Sequence, residues 1–587
     1  MYNLNYITKE EYDEAINDDV YSRIKNIDIK SENTIQVYTY FTESVIDQLQ
    51  EDLVKRLGYS KTLALNLLYS GGLRVETTMD PEIQQIVNNE VNNETNYKVK
   101  KYAIDYRLSV RHKDDSVTNY SQIDVANYHI NKLKNKKYDG LFKTKETADQ
   151  FINSFKDANI KEDDEIIGET LNYVLEPQCS FVLINHNSGE VLALSGGRGE
   201  KTVSRSINRA TVTKRQPGST FKVISSFAPA LELYNKTLAT TYYDGEYVYK
   251  DKVFKNWYST GFLGFQNIRA GIIYSLNIIA VRCLMETVSP EFGIRFAKKL
   301  GISSLDEVED ANPAAALGGL TYGVTNLELT NAFATIANEG YYSKPILYTK
   351  VYDHYGKVIL DNTKNKSTKV MSKENAYLLT SAMSDSMVGN RAFSTGTMNV
   401  TSTSTRAHFS KMSLAGKSGT TTNNNDVWFV GYSPYYTAGI WGGCDENQSL
   451  EDKKTNTNNG GTAFHKNIWR RIMQTIHSTL KDPGFEKPAG IIERKICRKS
   501  GLLATPGCEC DPRGNATYTE IFIDGTQPKK RCNFHNADGS INMPARFLEI
   551  PSDDTLYMKV ETEVVPIIEE QGSNVIGPAI VMPNGPQ

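Results

Sequence analysis

Hydrophobic and polar positions alternate with two different periods along this chain, and the switches between them predict its elements. Thr8-Lys9-Glu10-Glu11 is a capping-box pattern that opens a helix through Ala15 and Ile16. A second helical run covers about Phe41 to Leu68 and stops at Gly71-Gly72. Leu73–Thr78 alternates and is β-branched, which predicts a strand, and Asp80-Pro81 starts another helix with Asp80 as N-cap. From 95 to 175 the apolar periodicity is weak among Asn, Lys, Asp and Tyr, and the stretch reads as a small surface lobe. The character changes at Cys179. Phe181–Ile184 and Val191–Leu194 flank Asn187-Ser188-Gly189 as a hairpin. Helical patterns then cover Ser219 to about Leu233, and roughly 267–286, 290–300, 325–339 and 373–388. Three strands follow, Ser413–Thr420, Asp426–Tyr432 and Tyr436–Gly442, and a helix from about Ala463 to Leu480 closes the unit. After Pro488 the chain is loop-rich, and 551–587 is expected to be partly disordered.

This order predicts an α+β fold: an antiparallel five-stranded sheet flanked by helices, with small accessory regions. The expected divisions are a helical linker region at 1–75, an accessory lobe at 76–177, the main domain at 178–485, a cysteine-containing module at 486–550 and a tail at 551–587. Composition adds exclusions. The 587 residues carry 66 Lys plus Arg against 69 Asp plus Glu, a formal charge of −3, so nucleic acid is not expected as a partner. Hydrophobic residues at 39% and charged residues at 23% exclude a wholly disordered chain. No stretch of 18 uncharged apolar residues occurs and the N-terminus has no signal-peptide pattern, so the chain reads as soluble.

Three short motifs carry chemistry. In Gln216-Pro217-Gly218-Ser219-Thr220-Phe221-Lys222, Pro-Gly breaks the chain and a helix begins at Ser219. Ser219 and Lys222 then share one helix face, where a lysine left neutral by burial can take the serine proton. The plain alternative is an N-cap serine and a surface lysine. Tyr274-Ser275-Leu276-Asn277 sits in an apolar run, so Ser275 and Asn277 need partners if buried. Ser275 could relay a proton, and Asn277 could bind a substrate amide. Lys417-Ser418-Gly419-Thr420-Thr421-Thr422 ends a strand. There Gly419 leaves room for an extended substrate, Lys417 supplies charge, and Thr420 and Thr422 supply hydroxyls for a carboxylate. Each motif recurs elsewhere, as at Ser22–Lys25, Ser478–Lys481, Ser31–Asn33 and Lys499-Ser500-Gly501, in polar or loop-like settings. Their conjunction in the right elements, at spacings of 56 and 142 residues, is the specific signal.

On these motifs the chain resembles the transpeptidase part of a class A penicillin-binding protein. The likeness covers most of 70–480. It extends to Gly71–Pro81, Asn208-Arg209-Ala210, Arg215–Lys222, Leu317-Gly318-Gly319 with Gly323–Leu329, Ala334–Asn338 and Asp426–Tyr432. The resemblance implies a serine-type D,D-transpeptidase acting on peptidoglycan stem peptides ending in D-Ala-D-Ala, and acylation by β-lactam antibiotics. In it Ser219 is the nucleophile, Lys222 the base, and Ser275 and Lys417 the proton relay. Asn277, Ser418, Gly419, Thr420 and Thr422 bind substrate. The family begins with a membrane anchor and a glycosyltransferase domain that are not read in this chain, and residues 4–20 resemble the linker after that domain. The expectation is therefore a truncated chain or a natural fragment, of a protein on the extracytoplasmic face of the membrane, with cell-wall synthesis proteins as further partners. The rivals are a β-lactamase or D,D-carboxypeptidase of the same fold and a non-catalytic β-lactam sensor.

The chain has seven cysteines. Cys179, Cys283 and Cys444 lie in apolar runs and read as core. Cys497, Cys508, Cys510 and Cys532, with His535 near, leave three readings open: two disulfides, a zinc site, or free thiols. No other cofactor is expected.

Overall fold

The computed structural model describes residues 8–17, 37–259, 261–389, 400–452, 457–512 and 514–542. Helix α1 (Lys9–Asn17) stands first. The helical run expected from Phe41 to Leu68 is two helices, α2 (Tyr40–Leu57) and α3 (Lys61–Ser70). Gly58 divides them in the left-handed region, at φ 73°, and its N–H caps the carbonyls of Leu53 and Val54. Strand β1 (Arg74–Thr77) and helix α4 (Pro81–Asn92) form as the sequence indicates, with Asp80 accepting from the N–H groups of Glu82 and Ile83.

The stretch with weak periodicity folds around a core of its own. Strands β2 (Lys101–Arg111), β3 (Val117–Ser121) and β4 (Glu165–Glu176) form a sheet in the order β3-β2-β4, with α5 (Gln122–Asn127) and α6 (Lys145–Asn159) between β3 and β4. Tyr106, Leu108 and Val110 alternate inward from β2 onto Ile152 and Phe155 of α6. That period-two pattern stands in the sequence as Tyr106-Arg107-Leu108-Ser109-Val110-Arg111, a short alternating run that the polar segments around it outweigh when 95–175 is read as one stretch.

The main sheet has five antiparallel strands. Strands β5 (Gln178–Asn185) and β6 (Glu190–Ser195) open it. The chain then leaves the sheet through a short 3₁₀ turn at Gly218–Thr220, a wide turn at Val223–Phe227 and α7 (Ala228–Leu233). A single regular helix from Ser219 to Leu233 is thus not what forms. Pro229 has no N–H, and the Ala228 N–H reaches back to the Val223 carbonyl, which widens the turn. Strands β7 (Thr241–Asp244) and β8 (Gly264–Asn267) pair with each other. The helix expected over 267–286 is broken into α8 (Ile268–Ile273) and α9 (Asn277–Cys283). Next come α10 (Pro290–Lys299) and α11 (Asn326–Ala337). Strands β9 (Tyr348–Tyr352) and β10 (Val358–Asp361) then form a small sheet with β1, in the order β1-β9-β10. Helix α12 (Lys373–Val388) leads to β11 (Ala415–Thr420), β12 (Asp426–Tyr432) and β13 (Thr437–Gly443), and α13 (Phe464–Ile476) follows. The main sheet runs β11-β12-β13-β5-β6, so the N-terminal hairpin pairs with a strand more than 250 residues later, through Ile184↔Thr437 and Gln178↔Gly443.

Helices cover both faces of this sheet. Phe221, Ile279, Phe333, Trp428 and Trp441 belong to the core on one face. Phe181, Phe429, Ile440, Trp469 and Ile472 belong to the core on the other. Each such side chain contributes about 1.5–3 kcal/mol by leaving water, so the sheet is fixed far more firmly than any loop at its edge. After Pro488 the chain is more ordered than a loop-rich reading suggests: β14 (Ile491–Cys497) and β15 (Thr517–Ile523) pair in register from Ile491↔Ile523 to Cys497↔Thr517. The tail at 551–587 lies outside the described residues.

Candidate active site

The three motifs meet at the exposed edge of β11. Gly218 is in the left-handed region, at φ 55°, and its Cα lies against the backbone of Thr420. A Cβ there would stand 2.8 Å from Thr420 O and 2.9 Å from Thr420 N. On its other side Gly218 is held by Gly318, itself at φ 75°, whose missing Cβ would meet Gly218 N at 2.6 Å. The nucleophile turn is therefore wedged between a strand edge and a glycine turn, which leaves Ser219 half-buried beside Thr420. The Trp428 Nε1–H donates to the Gln216 carbonyl at 2.8 Å and ties the same turn to β12.

Lys222 and Lys417 are fully buried. Lys222 Nζ donates to Asn277 Oδ1 at 2.6 Å and to the Ser275 carbonyl at 2.6 Å, and stands 3.2 Å from Ser275 Oγ, within hydrogen-bond reach. Lys417 Nζ donates to the same Ser275 Oγ at 2.8 Å, so the hydroxyl bridges two amines. Among the described residues no hydrogen bond joins Ser219 Oγ to Lys222. Burial pushes the Lys222 amine well below its ordinary pKa, and the Lys417 charge adds to that. Burial, helped by the cation of Lys466, takes Lys417 down to about 7. A neutral amine that can accept a proton is what such a site provides.

Ser275 stands in a break, not within a regular helix. It has φ 54°, a left-handed conformation uncommon for serine and costing on the order of 1–3 kcal/mol. The break turns Ser275 Oγ toward both lysines, and the Trp257 Nε1–H pins it by donating to the Tyr274 carbonyl at 2.9 Å. Asn277 opens α9 with its amide committed on both sides: Oδ1 accepts from Lys222, and Nδ2 donates to the Lys255 carbonyl at 2.8 Å. Ser418 Oγ donates to Thr403 Oγ1 at 2.7 Å. Thr420 and Thr422 are exposed at the end of β11, open to a ligand carboxylate. Gly419 has a reason beyond substrate access, because a Cβ there would overlap the Pro217 carbonyl and stand 3.0 Å from Thr220 Cγ2.

Residues 179–483 match the family model described as the penicillin binding protein transpeptidase domain. The chain belongs to this family. Residues 487–537, which hold β14 and β15, match the model described as the penicillin-binding protein 1A C-terminal domain. A curated relative, penicillin-binding protein 1A of Clostridium tetani, is 30% identical over 557 residues. That alignment covers 90% of this chain and 58% of the relative, so the chain spans little more than half of the relative's length. Penicillin-binding protein 1A of Haemophilus influenzae shares the fold with TM-score 0.58 at 20% identity, covering 90% of this chain and 81% of that one. PonA1 of Mycobacterium tuberculosis, solved with penicillin V, has TM-score 0.51 at 19% identity, covering 76% and 96%.

The site holds residues the motifs did not flag. Lys466, on α13, lowers the Lys417 pKa and donates to the Thr403 carbonyl at 2.9 Å. Asn256 Oδ1 accepts from the Asn277 N–H at 2.8 Å. Both come from distant segments, and nothing in their local pattern marks them. The repeated motifs fall elsewhere. Ser478 and Lys481 are exposed, Lys499 Nζ donates to the Leu263 carbonyl at 3.3 Å, and Ser22–Lys25 and Ser31–Asn33 lie outside the described residues. No described helix is long and apolar enough to cross a membrane.

Proposed function

We propose that this chain is a serine-type D,D-transpeptidase that cross-links peptidoglycan stem peptides and is acylated by β-lactams. The observation that carries the reading is the pair of buried lysines joined through one serine hydroxyl, Lys222–Ser275–Lys417. The neutral Lys222 amine takes the Ser219 proton as Oγ attacks the penultimate D-Ala carbonyl. The backbone N–H groups of Ser219 and Thr420, brought together by the Gly218 wedge, hold the oxyanion; each such donor contributes about 3 kcal/mol to the transition state. As the C–N bond breaks, Ser275 gives its proton to the departing D-Ala amine, and Lys417 replenishes it. Thr420 and Thr422 bind the substrate carboxylate, and Asn277 and Ser418 orient the chain around it. The proton held by Lys222 passes through Ser275 to Lys417, which leaves Lys222 neutral again. An amine of a second stem peptide then attacks the ester, Lys222 takes a proton from that amine and gives it to Ser219 Oγ as the ester C–O bond breaks, and Ser219 is restored. Water in place of that amine gives a D,D-carboxypeptidase side reaction. The substrate sets the place of action at the extracytoplasmic face of the membrane, beside other cell-wall synthesis proteins.

Intact-mass and peptide mass spectrometry after exposure to benzylpenicillin tests this. One penicilloyl adduct on the Ser219 peptide is expected, absent in Ser219→Ala. An adduct on another residue, or none, overturns the assignment. Rapid loss of the label would favour a β-lactamase, and a durable label without cross-linking of stem peptides would favour a sensor.

A further inference from the structure

The C-terminal module carries a side-chain cluster that the acyl-transfer chemistry does not use. Cys497 ends β14, Cys508 lies on the short turn Pro506–Glu509, and Cys532 and His535 follow β15. All four are buried, and their donor atoms lie within 4.8 Å of one another. His535 Nδ1 is 3.6 Å from Cys497 Sγ and 3.6 Å from Cys532 Sγ. Zinc bonds of about 2.3 Å to sulfur and 2.1 Å to nitrogen, set at a tetrahedral angle, place S and N about 3.6 Å apart. A disulfide between Cys497 and Cys532 would instead need the sulfurs at about 2.05 Å, and both are unbridged here.

The surroundings are those of a ligand set. Asp511 Oδ2 lies 2.8 Å from His535 Nε2, which fixes the tautomer that turns the Nδ1 lone pair toward the sulfurs. The Thr505 N–H donates to Cys508 Sγ at 3.4 Å and the Ser500 hydroxyl to Cys532 Sγ at 3.2 Å, both stabilising thiolate over thiol. Cys510 is exposed and is not part of this set. The local apolar cluster is small: the three cysteines with Ala516 and Phe534, flanked by Phe265 and Ile541.

We propose that Cys497, Cys508 and Cys532 as thiolates, with His535 through Nδ1, bind one zinc ion as a closed structural site. Three thiols give up their protons to solvent on binding, and no coordination position is left for substrate. Thiolate and imidazole donors favour zinc over magnesium or calcium. The ion would stiffen the face of the module that rests on the catalytic domain. There Phe534 packs on Phe265 at 5.7 Å between ring centres, and Tyr518 OH accepts from Asn267 Nδ2 at 2.7 Å.

Metal analysis of the full chain, purified under reducing conditions without chelator, tests this. About one zinc per chain is expected, lost in Cys508→Ser and in His535→Ala and kept in Cys510→Ser. No bound zinc, equal loss in Cys510→Ser, or a mapped Cys497–Cys532 disulfide overturns the proposal. If the variants do not fold, cobalt(II) titration of metal-stripped unmutated chain decides. An intense tetrahedral spectrum with thiolate charge-transfer bands, saturating at one equivalent, supports the site, and a weak octahedral spectrum refutes it.

Discussion

Gly218→Ala tests whether the wedge around the nucleophile turn sets the reaction geometry. The new Cβ would stand 2.8 Å from Thr420 O and 2.9 Å from Thr420 C and N, all backbone atoms. Ordinary contact begins at 3.4 Å, so the turn and β11 must part by about 0.6 Å. Retreat is blocked by Gly318 on the far side. A left-handed alanine costs roughly 1–2 kcal/mol and overpacking roughly another 1–3 kcal/mol, so the variant should lose about 2–5 kcal/mol of stability. Opening that gap separates the Ser219 and Thr420 N–H groups. A misplacement near 1 Å costs on the order of 100-fold, so acylation should slow by roughly 10- to 100-fold. Stopped-flow labelling with a fluorescent penicillin reads the rate, and thermal unfolding reads the stability. Gly58→Ala is the control, since Gly58 has φ 73° with nothing within 4 Å of its Cβ position. It should cost about 1 kcal/mol and leave acylation unchanged. Acylation within twofold of the unmutated chain in Gly218→Ala would refute the reasoning, because the turn would then yield without moving the oxyanion donors.

Further outcomes follow from the buried charges. Arg269→Met removes the guanidinium that donates to Glu520 at 2.6–3.1 Å and to Asp385 at 2.7 Å, leaving Glu520 buried and uncompensated. Denaturant unfolding should show a loss of about 3–5 kcal/mol, partly recovered in Arg269→Met/Glu520→Leu; a double variant worse than the single one would refute this. Lys466→Met removes a cation that depresses Lys417, so the Lys417 pKa should rise above about 7. Protonated Lys417 then persists to higher pH and the alkaline limb of the acylation profile should move up; a limb that stays or falls contradicts the relay. Burial and the Asp445 charge push the Glu176 carboxyl up to about 8 from an ordinary 4.5. Between those values the folded chain holds a proton that the unfolded chain has released, so stability falls as pH rises through the window. Glu176→Gln should flatten that slope in melts taken across it, and an unchanged slope would exclude Glu176 as its source.

Amphipathic period and turn chemistry are local properties, and they determined a good part of this protein by themselves. The strands β5, β6 and β11–β13 stand within a few residues of where their apolar runs and the turn residues between them put them, and Asp80 caps α4 because side chain and N–H groups are neighbours in sequence. The motif residues were legible for the same reason, since each motif is contiguous. Tertiary structure decided the rest. Ser275 sits in an apolar run that reads as helix, yet packing against Trp257 and two lysines holds it at φ 54°. The requirement for Gly218 and Gly419 comes from segments about 200 residues apart pressing on each other. The Lys466 charge acts on Lys417 only because α13 packs on a face of the sheet that holds Lys417. The cysteine spacing left disulfide, zinc and free thiol open, and only folding brought His535 Nδ1 to 3.6 Å from two sulfurs. Periodicity records which face of an element is buried; it holds no information on which distant element covers that face, and the electrostatics of this site are set by that cover.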